Sequence, residues 1–139
     1  MKETSKTQIS YYEGAYGPTI RIDVLTKTWL EFLKQCIYQL ICEELNGLEI
    51  VSMGNIEIND GLKSLVLKKV HNEQRFKVKE SNENCFIWLQ DTDELITLVG
   101  LINGLLDSDQ AGHQYLTNEG SCVLIVLAYK EHGLNYERT

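Results

Sequence analysis

Hydrophobic positions along this chain change period several times, and each change marks an element. Ile20, Ile22 and Val24 alternate with Arg21 and Asp23, the period of two that predicts a half-buried strand. The period then lengthens. Trp29, Leu30, Leu33, Cys36, Ile37, Leu40, Ile41 and Leu45 form one broad apolar stripe at helical spacing. Thr28 and Glu31 stand as in a capping box, where each side chain satisfies a free N–H of the first turn, and Asn46-Gly47 supplies a left-handed residue to end the helix. Residues 48–58 read as a strand with a bulge at Gly54-Asn55. Asn59-Asp60-Gly61 is a hairpin signal leading into a strand over 62–70. After a polar turn at 71–74, residues 75–80 alternate, with Phe76 and Val78 opposite Arg75, Lys77 and Lys79. A further turn leads to an apolar strand at 85–89.

Helical period returns after Asp91, which with Glu94 forms an acidic version of the same box. Leu95, Leu98, Val99, Ile102, Leu105 and Leu106 make the apolar stripe. Gly100 and Gly104 lie one turn apart, and each costs about 1 kcal/mol relative to alanine inside a helix. They are read as a device for close approach of this helix to the sheet. Asp107 and Asp109 oppose the macrodipole and predict the helix end. A short segment at 111–116 and a polar turn follow. Residues 122–129 are apolar on both faces, which predicts a central strand covered on both sides, within the monomer or by a partner.

The resulting order, β-α-β-β-β-β-α-β-β, predicts an α+β fold: two amphipathic helices packed on a mainly antiparallel sheet of about six to seven strands. With 139 residues and no linker, the chain is expected to form a single domain, 1–139, with loosely ordered ends at 1–8 and 131–139.

Composition narrows the class. Lys and Arg number 13 against 20 Asp and Glu, a net charge of −7 that argues against non-specific nucleic-acid binding. No run of about 18 apolar residues exists to cross a membrane, and the first residues lack the apolar core of a signal peptide. A cytoplasmic location is expected. Cys36, Cys42, Cys85 and Cys122 form no CxxC pair and are read as buried free thiols in a reducing compartment, with a zinc site or a disulfide as the alternative. GxGxxG, Walker, HExxH, GxSxG and DxDxDG patterns are all missing from the sequence, so no cofactor and no metal are expected.

Three sets of residues carry candidate chemistry. His113 and Tyr115, two apart on an extended segment, face the same side. They could act as a general base with a phenol partner in a small nuclease, or simply pack with the imidazole bonded to backbone. Lys63, Lys68, Lys69, Arg75, Lys77 and Lys79 would cluster on two hairpin strands as a phosphate- or RNA-binding face, or guard a solvated strand edge. Glu43, Glu44, Glu49 and Glu57, with Asp91, Asp93, Asp107 and Asp109, would give acidic faces able to dock a basic protein.

Gly112-His113-Gln114-Tyr115-Leu116, followed by the apolar strand ending Ala128-Tyr129-Lys130-Glu131, resembles small bacterial immunity-type proteins of polymorphic and contact-dependent toxin systems. The resemblance covers about twenty residues and implies an α+β protein that binds and blocks one toxin, often a basic nuclease. The basic hairpin departs from that pattern. No functional residue is carried over from it.

The favoured reading is a non-enzymatic protein-binding domain, an immunity protein in the resemblance. The first alternative is a small nucleic-acid-acting enzyme or RNA-binding protein using His113, Tyr115 and the basic hairpin. The second is a homodimer joined through the 122–129 strand or the Gly100/Gly104 face.

Overall fold

The computed structural model describes residues 7–15, 17–54, 56–59, 61–71, 78–108, 110–116 and 123–129. In chain order the elements are β1 (Thr7–Gly14), β2 (Gly17–Val24), α1 (Lys27–Ile41), β3 (Leu48–Glu49), a short 3-10 turn (Ile50–Ser52) and β4 (Ile56–Asn59). Then follow β5 (Ser64–Lys69), β6 (Val78–Asn82), β7 (Cys85–Gln90), α2 (Thr92–Leu106), β8 (Gly112–Tyr115) and β9 (Leu124–Tyr129).

The α+β class and the two helices are as predicted; the single, mainly antiparallel sheet is not. The strands divide into a five-stranded sheet, β4-β1-β2-β9-β8, and a four-stranded sheet, β3-β5-β7-β6. Both are mixed. β1 with β4, β2 with β9 and β5 with β7 run parallel, and the other neighbours run antiparallel. The central pairing of the larger sheet joins strands from opposite ends of the chain, Ile20 beside Ile125 and Ile22 beside Leu127. Periodicity along a sequence reveals a strand but not its neighbour, and so it could not reveal this pairing.

Three local expectations fail for the same reason. Residues 48–58 are not one bulged strand: β3 belongs to the smaller sheet and β4 to the larger, with the 3-10 turn carrying the chain between them. Asn59-Asp60-Gly61 is accordingly not a hairpin, because β4 and β5 lie in different sheets; Gly61 does take the positive φ of +80° that the turn needs. β5 and β6 are not partners either, since β7 lies between them. In addition β1 is an eight-residue strand ahead of the first strand in the predicted order. Of the ends expected to be loosely ordered, residues 1–6 and 131–139 lie outside the described residues, while Thr7 and Gln8 are part of β1.

The core forms where the inner faces of the two sheets and the two helices meet. Ile9, Ile20, Ile22, Ile125, Leu127 and Tyr129 from the larger sheet join Leu65, Leu67, Val78, Phe86 and Trp88 from the smaller one. The Tyr11 and Phe86 rings meet edge to face at 5.0 Å, one from each sheet. Trp29 at the start of α1 donates its indole N–H to the Met53 carbonyl at 2.8 Å. Each fully buried Leu or Ile in this cluster contributes about 1.5–3 kcal/mol through burial.

The apolar stripes of both helices are buried as the spacing predicted. The Asp91–Glu94 box is present, with Glu94 N–H donating to Asp91 and Asp91 N–H to Glu94, both at 2.9 Å. The Thr28–Glu31 box is absent: α1 starts two residues earlier, at Lys27, and its N-cap, Thr26, makes no side-chain capping bond. α1 also ends before Asn46-Gly47. Glu43 takes the left-handed position at φ +64°. Its N–H donates to Leu40 O and that of Glu44 to Gln39 O, the double bond of a Schellman cap.

Gly100 and Gly104 face solvent. A Cβ built on either would meet nothing within 4 Å, so they mediate no close approach. The two residues sit on the side of α2 opposite its buried stripe, a distinction that their i, i+4 spacing alone does not make. β9, by contrast, is a central strand covered on both faces within the chain, with Val126 and Ala128 as buried as Ile125 and Leu127. Its apolar sequence therefore needs no second copy to cover it. Cys36 is buried, but Cys42 is exposed and Cys85 half-buried, and these three thiols are free; Cys122 lies outside the described residues. No helix among the described residues is long and apolar enough to cross a membrane.

Candidate functional site

A cleft of about 160 Å³ opens between α2 and the end of β8. Its residues come from three neighbouring elements. Gln90 is the last residue of β7, Glu94, Thr97, Leu98 and Leu101 lie on one flank of α2, Tyr115 ends β8 and Leu116 follows it. The local chemistry explains why this end of α2 is fixed. β7 runs directly into the Asp91 cap, and the reciprocal box holds Glu94 by Oε1, which accepts from Asp91 N–H. A carboxylate in the first turn is also favoured by the helix dipole. Asp93, beside it, is exposed.

The walls combine three leucines with a half-exposed tyrosine ring. None of the lining side chains is cationic. Gln90 is 95% buried, and its Nε2 donates to the Leu89 carbonyl at 2.9 Å. Glu94 adds a carboxylate to the lining. Thr97 Oγ1 donates to Asp93 O at 3.1 Å.

His113 and Tyr115 do share a face of β8, as their spacing predicted, with their rings edge to face at 5.4 Å. Tyr115 lines the cleft and His113 does not. His71 follows β5 in the other sheet and lies 3.6 Å from Glu43; His132 lies outside the described residues. No acid–base pair of histidines is assembled among the described residues, and no group of three metal-ligating side chains converges.

The acidic candidates separate into different roles. Glu49 is held inside the smaller sheet, accepting from Ser64 Oγ at 2.6 Å and from Leu65 N–H at 2.8 Å. Glu43 pairs with Lys69 at 2.9 Å. That hydrogen bond first, then the charges of Lys69 and His71, holds its carboxyl below the usual carboxylate range. Glu57 meets Gln8 at 3.5 Å at the edge of the larger sheet. Glu44 is exposed beyond α1, and Asp107 is exposed at the far end of α2. Only Asp91 and Asp93 stand beside the cleft, with Glu94, which the sequence marked as a capping residue rather than as a site. Asp109 lies outside the described residues.

The basic candidates do not form the expected cluster among the described residues. Lys68 and Lys69 alternate across β5. Lys69 points to the end of α1, where Nζ donates to Ile41 O at 2.9 Å, while Lys68 is exposed. Lys79 is exposed on β6, beyond the intervening β7, and Lys63 is exposed before β5. Arg75 and Lys77 lie outside the described residues.

One buried feature was missed by the sequence reading, which assigned Arg21 and Asp23 to solvent. On the outer face of β2, Arg21 Nε donates to Asp23 Oδ1 at 2.9 Å, and the pair is about nine-tenths buried. Strand register puts Asp23 in a row with Ala128 and His113, and Arg21 with Val126 and Tyr115. Two strand spacings, about 9–10 Å, separate the β2 and β8 members of each row.

Compared with protein-family models, with curated proteins and with solved structures, the chain has no match.

Proposed function

We propose that this chain is a non-enzymatic protein-binding domain that docks a basic partner, in the manner of an immunity protein holding a toxin. The observation that carries this reading is the cleft at the start of α2. It is open, lined without a cation, and placed beside Asp91, Asp93 and Glu94 on a chain with a net charge of −7. Acidic surfaces of this kind speed association with basic proteins and make it salt-dependent. The resemblance of the 112–131 region to immunity-type proteins points the same way, and it includes Tyr115 and Leu116 of the cleft wall.

The enzymatic alternative has less support. His113 lacks a second histidine within reach among the described residues, and the described lysines of the basic set, Lys63, Lys68, Lys69 and Lys79, do not share one face. The experiment is co-expression with the product of the adjacent gene, followed by purification at low and high salt. A complex that forms at low salt and weakens as salt rises is expected. Failure of the two proteins to associate at low salt would remove the proposal.

A further inference from the structure

We infer that this chain pairs with a second copy of itself, edge to edge, through β8. The inference goes beyond the protein-binding reading and does not depend on it. β8 lies at one edge of the five-stranded sheet, with β9 as its neighbour and no other strand beside it among the described residues. Leu116 N–H donates to Ile125 O at 2.8 Å, so the backbone groups of Leu116 turn towards β9. Such groups alternate in direction along an antiparallel strand, and those of Tyr115 therefore point away from β9, to the open edge.

Three properties make a second copy the occupant. Charge is the first. β6, at an edge of the smaller sheet, carries Lys79 and Glu80, and β4, at the far edge of the larger one, carries Glu57; charges of this kind guard an edge against pairing. β8 has no such guard, because residues 110–118 contain no Asp, Glu, Lys or Arg. Two chains of net charge −7 repel one another, so a neutral strand is where they can touch. Symmetry is the second. With a twofold axis at Tyr115, its N–H donates to the carbonyl of its counterpart in the second copy, and its own carbonyl accepts from that counterpart. The contact is self-complementary. Exposure is the third. The Tyr115 ring is 51% exposed and meets His113 edge to face at 5.4 Å. The axis sets two such tyrosines directly opposite each other, the cross-strand placement in which aromatic side chains attract. A four-residue edge buries less than the roughly 1,000 Å² of a lasting interface, so the pairing is weak, on the order of hundreds of micromolar.

The test is sedimentation of the full chain from tens of micromolar to low millimolar concentration, at low and high salt, with amide NMR spectra alongside. The mass should rise from one chain towards two, and more so at high salt, which screens the repulsion between the acidic chains. That sign is opposite to the one expected for a complex with a basic partner, so the two associations are told apart. The Gln114 and Tyr115 amide signals should move with concentration. Tyr115→Lys and Tyr115→Glu each set like charges across the axis and should weaken self-association by about tenfold, while dilute samples melt as the parent does. Mixing the two variants sets opposite charges there and should restore association to within severalfold of the parent. A mass that stays at one chain at every concentration would overturn the proposal. So would association that salt weakens, that Tyr115→Lys leaves intact, or that the mixed variants fail to regain.

Discussion

Arg21 and Asp23 leave β2 on the same side and meet at 2.9 Å, with side chains only 11% and 8% exposed. A charge pair so deeply placed is costly to break, since removing one member takes a direct charge partner from the other where water is scarce. Asp23→Ala is expected to lower stability by about 3 kcal/mol. Replacing both residues by apolar ones, Arg21→Met with Asp23→Leu, should cost less than that single change. Urea unfolding of both variants decides the matter. A double variant as weak as the single one would show that burial of the guanidinium is not the source of the loss.

Gly100 and Gly104 sit on the open side of α2, where an added methyl meets no atom within 4 Å. Alanine at either position should raise stability by about 0.5–1 kcal/mol by restricting the unfolded chain and improving helix propensity. If these glycines served close packing after all, thermal melts would show a decrease.

The two helices begin differently, and this is measurable. Asp91→Ala removes the side-chain acceptor of the Glu94 N–H at the start of α2, leaves the backbone N–H of residue 91 able to donate to Glu94, and is expected to cost about 1 kcal/mol. Thr28→Ala in α1 interrupts no such box and should stay within about 0.5 kcal/mol of the parent. Equal losses in the two variants would contradict the capping geometry described above.

Lys69 joins the end of α1 to β5 through Ile41 O and Glu43. Its bond to Glu43 lowers that carboxyl's pKa from an ordinary value of 4.5. In the window below 4.5 the unfolded chain therefore binds more protons at Glu43 than the folded one, so stability rises with pH there. The contribution is fully present above the ordinary value and is lost as pH falls through the lower, folded one. Lys69→Met should return the Glu43 titration, followed by carboxyl NMR, to the ordinary range and flatten that part of the acid limb. High salt should act in the same direction, because Glu43 is exposed. A Glu43 titration that ignores the Lys69 substitution would contradict the assignment.

Much of the local structure was legible in the residues themselves. The stripe from Trp29 to Leu40, the Asp91–Glu94 cap and the doubly apolar run from Val123 to Tyr129 depend on neighbours within one or two turns or on the two faces of one strand. Such preferences act through the chain's own periodicity, and α1, α2 and β9 follow from them. The shared face of His113 and Tyr115 follows in the same way.

What the tertiary structure decided are the relationships between distant segments. β2 lies beside β9, β7 separates β5 from β6, and the chain changes sheets at Ile50–Ser52. Each rests on backbone hydrogen bonding, which is nearly blind to side-chain identity, and on the burial of whole faces together. For that reason Arg21 and Asp23, polar in sequence, are covered, and Gly100 and Gly104, placed among apolar residues, are bare. The cleft belongs to this second group. Gln90, Glu94 and Tyr115 each have an ordinary local explanation, as a strand end, a helix cap and an outward strand residue. Their convergence arises only because α2 follows β7 without a break and β8 returns beside it.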